Sequence, residues 1–192
     1  MSSAPIAAAH ARVIALARRV LIVEAEAVQT LAERLDETFT QAVDMILASK
    51  GRVIVSGIGK TGHIGRKFAA TLASTGTPAY FVHAAEAAHG DLGMITADDV
   101  LVAISYSGSS EELLKIVPLV KRQGARLIAL TGNPDSPLAR EADVHLNGAV
   151  REEACPLNLA PTASTTAALA LTDALAVALL DARGFGPNDF AR

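Results

Sequence analysis

Residues 100–112, VLVAISYSGSSEE, decide the fold of this chain. Five apolar residues predict a buried strand, and a helical pattern begins after the serine-rich turn. Gly108 can adopt backbone angles that a side chain would forbid. Ser105, Ser107 and Ser110 offer hydroxyl donors beside the unpaired N–H groups of the first helical turn. We interpret the segment as a phosphate-binding loop for a small metabolite. The alternative is a serine-rich turn that only caps the helix.

The composition is that of a globular protein. Hydrophobic residues make up 51% of the 192 residues and charged residues 19%. The net charge of −3 gives no reason to expect nucleic acid or an anionic membrane as partner. The single Cys155 excludes an intrachain disulfide framework and fits the cytoplasm. We see no uninterrupted apolar stretch of about 20 residues and predict no membrane span.

Strands and helices alternate along most of the chain. We expect residues 1–5 to be a loose lead-in and 6–47 to be helical, with a break or bend near Asp36. The apolar run 20–23 predicts burial on more than one helix face, including against another subunit. Strands are predicted over 52–56, 77–82, 100–104, 126–130 and 143–146, and helices after the first strand to about 74 and over 110–122, 136–141 and 163–180.

These elements predict a parallel sheet covered by helices on both faces, with ligands beyond the carboxyl ends of the strands. We expect one domain over residues 1–192, with N-terminal helices to residue 48, an α/β core over 52–184 and a short tail.

A glycine-rich turn follows the first strand. Residues 57–62, GIGKTG, match the dinucleotide fingerprint, but no acidic residue ends the next strand to bind a ribose. The turn therefore predicts close backbone approach of a ligand, with Lys60 at the sheet edge. A solvated lysine is the alternative.

Two further segments carry titratable groups. Residues 83–91 contain two histidines and two carboxylates in a predicted loop, without the spacing of a helical metal pair. Glu152 and Glu153 precede an apolar run, and partial burial there would raise a carboxyl pKa towards that of a general base.

Residues 161–166, PTASTT, form a hydroxyl-rich helix start that caps the helix or faces the ligand.

Taken together, these motifs resemble the sugar isomerase (SIS) domain family, and within it the bacterial D-arabinose-5-phosphate isomerases. The resemblance rests on residues 57–65, 73–78, 86–93 and 153–157 and covers nearly all of 20–190. It implies a three-layer α/β/α sandwich around a five-stranded parallel sheet, as in flavodoxin-like folds, and a homotetramer. It also implies interconversion of D-ribulose 5-phosphate and D-arabinose 5-phosphate, on the route to 3-deoxy-D-manno-octulosonate and lipopolysaccharide.

The resemblance also assigns candidate site residues. Catalytic roles fall on Lys60, Glu112 and Glu153, and a zinc that the reaction does not require falls on His83. With the hydroxyl residues of the serine-rich loop, the substrate contacts are predicted at Gly76, Thr77, His89, Ser105, Ser107, Ser110, Lys115, Ala149, Val150 and Arg151.

We therefore predict a cytoplasmic aldose–ketose isomerase that needs no cofactor and works through an enediolate. The family pattern continues with a His-Pro-Gly-Gly segment and CBS domains beyond Arg192, so we expect an isolated SIS domain from a longer protein. Two alternatives stay open. One is another SIS sugar-phosphate isomerase, of the sedoheptulose 7-phosphate type, and the other is a sugar-phosphate sensor without turnover.

Overall fold

The computed structural model describes residues 3–87 and 90–190. The strands are β1 (Val53–Gly57), β2 (Ala79–Phe81), β3 (Val100–Ile104), β4 (Arg126–Thr131) and β5 (Val144–Asn147). The helices are α1 (Ser3–Glu33), α2 (Glu37–Ala48), α3 (Gly59–Ser74), α4 (Ala84–Ala87), α5 (Glu111–Arg122), α6 (Pro137–Glu141), α7 (Ala163–Ala182) and α8 (Pro187–Phe190), with a 3₁₀ turn at Asp91–Met94.

The five strands form one parallel sheet in the order β2-β1-β3-β4-β5. From β1 the chain adds its next strand, β2, on one side, and the later strands β3, β4 and β5 are added on the other side. The loops that follow β1 and β3 therefore diverge, and this leaves a crevice between them. The predicted five-stranded parallel sheet is therefore confirmed, and its switch point lies between the two loops that the sequence singled out.

Helices cover both faces of the sheet and make three layers. On one face, α2, α3 and α7 pack against side chains such as Val55, Val102 and Leu130. On the other face, α4 to α6 pack against Ile54, Leu101 and Leu127. Every residue of β1 and β3 is buried, since helices cover both faces of the sheet. This explains why apolar and polar residues do not alternate along these strands.

The predicted helix break near Asp36 is confirmed, and its cause is a cap. Asp36 accepts a hydrogen bond from the N–H of Thr38 at 2.9 Å and begins α2. The expected lead-in is wrong for residues 3–5, which belong to α1.

The run 20–23 is not buried on several faces in this chain. Leu21 is 68% exposed and Ile22 is 56% exposed. Residues 7–19 are exposed as well.

Three other expectations differ in detail. Strand β2 is shorter than predicted, and residues 83–93 contain helical turns rather than a continuous loop. The tail after Gly184 contains α8. Helix α7 is long and apolar enough to cross a membrane by length and composition, yet half of that window is buried in the structure, as in the core helix of a folded domain.

Candidate active site

Three segments with polar side chains meet at the carboxyl edge of the sheet. The loop after β1 carries Lys60, the loop after β3 carries the serine cluster, and residues 148–162 lead from β5 into α7. Since β1 and β3 are hydrogen-bonded neighbours with Gly57 opposite Ile104, the first two segments begin side by side. The fold thus assembles the predicted catalytic edge from residues more than 40 positions apart.

The loop after β3 folds tightly on itself. The N–H of Gly108 donates to the Ser105 hydroxyl at 3.2 Å, and Ser105 is buried. Gly108 has φ +64°, and a Cβ at this position would overlap the Ser136 side chain. Ser107 is exposed and accepts hydrogen bonds from the N–H and hydroxyl of Ser109. The loop therefore presents exposed hydroxyls just before α5 begins.

Glu112 lies in the first turn of α5, where the helix dipole favours a negative charge. Its own backbone N–H and the hydroxyl of Ser110, 3.1 Å away, lower the pKa of this exposed carboxyl below its ordinary value. Lys115, one turn further on, and His83 lower that pKa in the same direction. The Ser110 hydroxyl, which we expected to face phosphate, thus donates to Glu112 in this structure.

A cavity of about 180 Å³ lies at this edge, between the starts of α3 and α7. Lys60 is exposed at its rim. The residues that line the cavity are Ile58, Lys60, Thr61, Ile104, Tyr106, Leu130, Pro161, Ser164, Thr165 and Ala168. Most of the wall is apolar, so its few polar groups decide what can bind.

Glu153 caps the start of α7. Its Oε2 accepts hydrogen bonds from the N–H of Thr162 at 2.7 Å, the hydroxyl of Thr162 at 3.0 Å and the N–H of Ser164 at 3.2 Å. Within the described residues, none of the hydrogen bonds to this carboxylate reaches Oε1. One oxygen is therefore held in place, and the other accepts no hydrogen bond from the described residues.

The expected rise in the pKa of Glu153 is wrong. Burial does raise this pKa, but the donors of Ser164 and Thr162 together lower it by more, and the net pKa lies below the ordinary value. Glu153 is consequently ionised at neutral pH.

Ser164 is the site residue that the sequence did not single out by itself. Its side chain is only 3% exposed, and its hydroxyl oxygen has no hydrogen-bond partner of ordinary geometry among the described residues. The hydroxyl is near enough to Glu153 to lower the pKa of that carboxyl. Its position in the hydroxyl-rich start of α7 was the available signal.

Residues 149–151 follow β5 at the same edge. The Arg34 side chain donates to the Ala149 carbonyl at 2.6 Å, and the N–H of Val150 donates to the Tyr106 hydroxyl at 3.3 Å. Arg151 is exposed. These contacts connect the segment to α1 and to the serine-rich loop.

Gly76 and Thr77 lie elsewhere. They precede β2 and therefore occupy the amino edge of the sheet, where Arg183 donates to the buried Thr77 hydroxyl at 2.9 Å. Gly76 has φ +85° beneath the ring of Phe185. Within one chain, the fold does not bring these two residues together with Lys60 and Glu153.

His83 follows β2 at the carboxyl edge and accepts a hydrogen bond at Nδ1 from the N–H of Ala85 at 3.3 Å. Over residues 3–87 and 90–190, no three His, Cys, Asp or Glu side chains form a metal-binding group. The described surroundings of His83 thus do not fit a zinc site. The predicted contact His89 lies outside the described residues.

Known proteins resemble this chain in sequence. The chain is 59% identical over 175 residues to arabinose 5-phosphate isomerase KdsD of Pseudomonas aeruginosa and 56% identical over 174 residues to KdsD of Escherichia coli K12. Each alignment covers 91% of this chain but only 54% and 53% of those proteins. The chain therefore spans about half the length of the curated relatives it matches.

A solved structure matches over nearly the full length. The protein c3406 of E. coli CFT073, solved in complex with A5P, superposes with a TM-score of 0.91 at 40% identity. The match covers 94% of this chain and 96% of that one. The SIS domain family itself matches residues 46–178, from α2 through most of α7. With the sheet order and the edge site, these matches show that the chain belongs to the SIS domain family.

Proposed function

We propose that this chain carries the catalytic domain of a D-arabinose-5-phosphate isomerase. The observation that carries the proposal is Glu153, a carboxylate with one oxygen fixed by α7 and the other without a hydrogen bond from the described residues, beside the cavity that Lys60 borders. High identity to enzymes named for this activity supports the same substrate.

The phosphate group would bind the loop after β3. Ser105 and Ser107, together with the first N–H groups of α5, provide the donors, and Ser110 joins them once phosphate replaces Glu112 as the acceptor of its hydroxyl. Such a site suits the single phosphate of a small sugar. Lys115, one turn after Glu112 in α5, and residues 149–151, which contact Tyr106 through the Val150 N–H, are the proposed contacts to the remainder of the substrate.

The isomerisation needs a base and a stabilised oxyanion. Oε1 of Glu153 takes the proton from C2 of arabinose 5-phosphate and returns it to C1, while the hydroxyl proton of O2 passes to O1. The Lys60 ammonium stabilises the negative oxygen of the enediolate between these two transfers. Glu112 and His89 orient the sugar hydroxyls or open the ring. Every atom is conserved, and the scheme needs no redox cofactor.

The wider setting is the one that the family resemblance implies. We propose a cytoplasmic homotetramer that supplies arabinose 5-phosphate towards 3-deoxy-D-manno-octulosonate and lipopolysaccharide. Gly76 and Thr77 stay proposed substrate contacts on the family resemblance alone, since Thr77 is buried at the amino edge of the sheet.

Conversion of ribulose 5-phosphate by the purified chain tests the function. We expect arabinose 5-phosphate to appear and the reverse reaction to reach the same equilibrium. A chain that binds ribulose 5-phosphate without forming product would favour the sensor alternative, unless a chain extended beyond Arg192 restores turnover. Sedoheptulose 7-phosphate, tested in parallel, examines the other isomerase alternative.

A further inference from the structure

The tyrosine inside the serine-rich loop has no part in the reaction described above. Tyr106 stands between Ser105 and Ser107, and it is one of the residues that line the cavity of about 180 Å³ beside Lys60. The residue is 38% exposed, so a ligand that enters the cavity can touch it. Its contacts with the rest of the chain decide whether the side chain can yield to such a ligand.

One edge of the Tyr106 ring is held by the end of the neighbouring strand. The Tyr106 carbonyl accepts a hydrogen bond from the N–H of Gly132, just after β4, at 2.8 Å. A Cβ at Gly132 would lie 2.4 Å from a carbon of the ring, so the ring occupies the space that a side chain would fill. The backbone of Gly132 is not in the left-handed region. The ring, and not the turn, therefore accounts for the glycine at this position.

The far end of the ring is held by the loop after β5. The Tyr106 hydroxyl accepts a hydrogen bond from the N–H of Val150 at 3.3 Å and donates a longer one to the carbonyl of the same residue at 3.5 Å. The ring thus separates the cavity from residues 148–151. Because it is held at its edge and at its hydroxyl, it forms a fixed wall that excludes any ligand group overlapping it.

We propose that Tyr106 is a specificity-determining residue, whose ring closes the cavity towards residues 148–151 and limits the sugar phosphate to a short carbon chain. This inference rests on the proposed function and adds a selection by length to it. Sugar phosphates of different length carry the same groups at the phosphate and at the reacting carbons. Since most of the cavity wall is apolar, space rather than hydrogen bonding has to separate them.

The other of the two tyrosines in the chain provides a matched control. Tyr80 also donates its hydroxyl to a backbone carbonyl, that of Met94 at 3.0 Å. It lies in β2 and is not among the residues that line the cavity. Y106A and Y80A therefore remove the same side chain inside and outside the proposed wall, and Y106F removes the hydroxyl but keeps the ring.

The experiment measures, by calorimetry, the apparent dissociation constants of ribulose 5-phosphate, sedoheptulose 7-phosphate and inorganic phosphate for the wild-type chain and the three variants. Even one methylene group more or less in an apolar pocket changes selectivity about tenfold or more. We expect Y106A to shift the ratio of the two sugar affinities towards the seven-carbon sugar by about this factor and to bind inorganic phosphate normally. Y106F and Y80A should keep the wild-type ratio.

Three results would overturn the inference. They are an unchanged ratio in Y106A, an equal shift in Y80A or Y106F, and a loss of inorganic phosphate binding in Y106A that accompanies equal losses for both sugars. Thermal unfolding checks that each variant is folded. If Y106A is not, Y106L carries the same expectation, because leucine is shorter than the ring and still apolar. A wild-type chain that binds neither sugar phosphate overturns the proposed function itself, which separates the two failures.

Discussion

Oε2 of Glu153 accepts hydrogen bonds from both the N–H and the hydroxyl of Thr162, nine residues further along the chain. The connection closes residues 153–162 into a loop that holds the carboxylate against the start of α7. A side chain held in this way loses little conformational freedom when a substrate binds. The same contact determines both the ionisation and the position of the proposed base.

Replacement of this carboxylate gives the first prediction. E153Q keeps the shape of the side chain but cannot accept a proton, so we expect kcat to fall by about 10²- to 10⁴-fold. Steady-state kinetics with arabinose 5-phosphate measures the loss. E152Q is the matched control, because Glu152 is exposed and makes only a 3.4 Å surface contact with Arg19. Near-normal turnover of E153Q would exclude Glu153 as the base.

The lowered pKa of Glu153 gives a second prediction, about stability. The unfolded carboxyl titrates near 4.5, and the folded one titrates lower. The hydrogen-bonded carboxylate therefore stabilises the fold fully above pH 4.5, and this contribution disappears as the pH falls through the folded pKa. We expect the difference in the free energy of unfolding between wild type and E153Q to be largest at neutral pH and to shrink below 4.5. Denaturant titrations from pH 3 to 8 measure it. A difference that grows on acidification would contradict the hydrogen bonds described.

Lys60 gives a third prediction. Its ammonium borders the cavity, and loss of one preorganised donor to an oxyanion costs about 10²- to 10³-fold in kcat. We expect this loss in K60Q. K50Q is the matched control, since Lys50 is also exposed but precedes β1 at the opposite edge of the sheet. Equal activities of the two variants would remove Lys60 from the mechanism.

The serine-rich loop gives a fourth prediction. A residue with a Cβ in the left-handed region costs about 1–2 kcal/mol, and this applies to Gly108 at φ +64° and to Gly184 at φ +63° alike. Only at Gly108 would the new methyl group also overlap Ser136, which caps α6. We expect G108A to lose more stability than G184A in thermal unfolding and to weaken binding of inorganic phosphate. If G108A and G184A lose the same stability and G108A binds phosphate normally, the loop does not depend on the tight turn at Gly108.

Much of the fold follows from local signals in the sequence. The apolar runs at β1, β3 and β4 are buried on both faces, so their composition alone identified them. Glycines and prolines marked most helix ends. The short turns within 83–94 were missed because they are too brief to show periodicity, and residues 3–5 of α1 were missed as well.

The positions of candidate site residues could be predicted where they directly follow a strand. They could not be predicted where they depend on contacts between segments that are far apart in the sequence. Lys60 and the serine-rich loop follow directly from two strands, so parallel pairing brings them together. The pKa of Glu153 was wrong in direction because its donors lie nine to eleven residues away, at a helix start whose approach no spacing rule reveals. The exposure of Leu21 and Ile22 likewise depends on which elements pack against α1, which an apolar run does not reveal.

The closed loop of residues 153–162 joins the proposed catalytic carboxylate to the start of a core helix. This connection constrains how the sequence of the domain can evolve. If Glu153 collects a proton in each cycle, the first turn of α7 loses part of its anchoring negative charge at that moment and regains it when the proton leaves. A mutation that abolished turnover by removing the carboxylate would also loosen a helix that packs against the sheet. Related domains that have lost the activity should therefore keep a hydrogen-bond acceptor at this position, because the start of α7 still needs one.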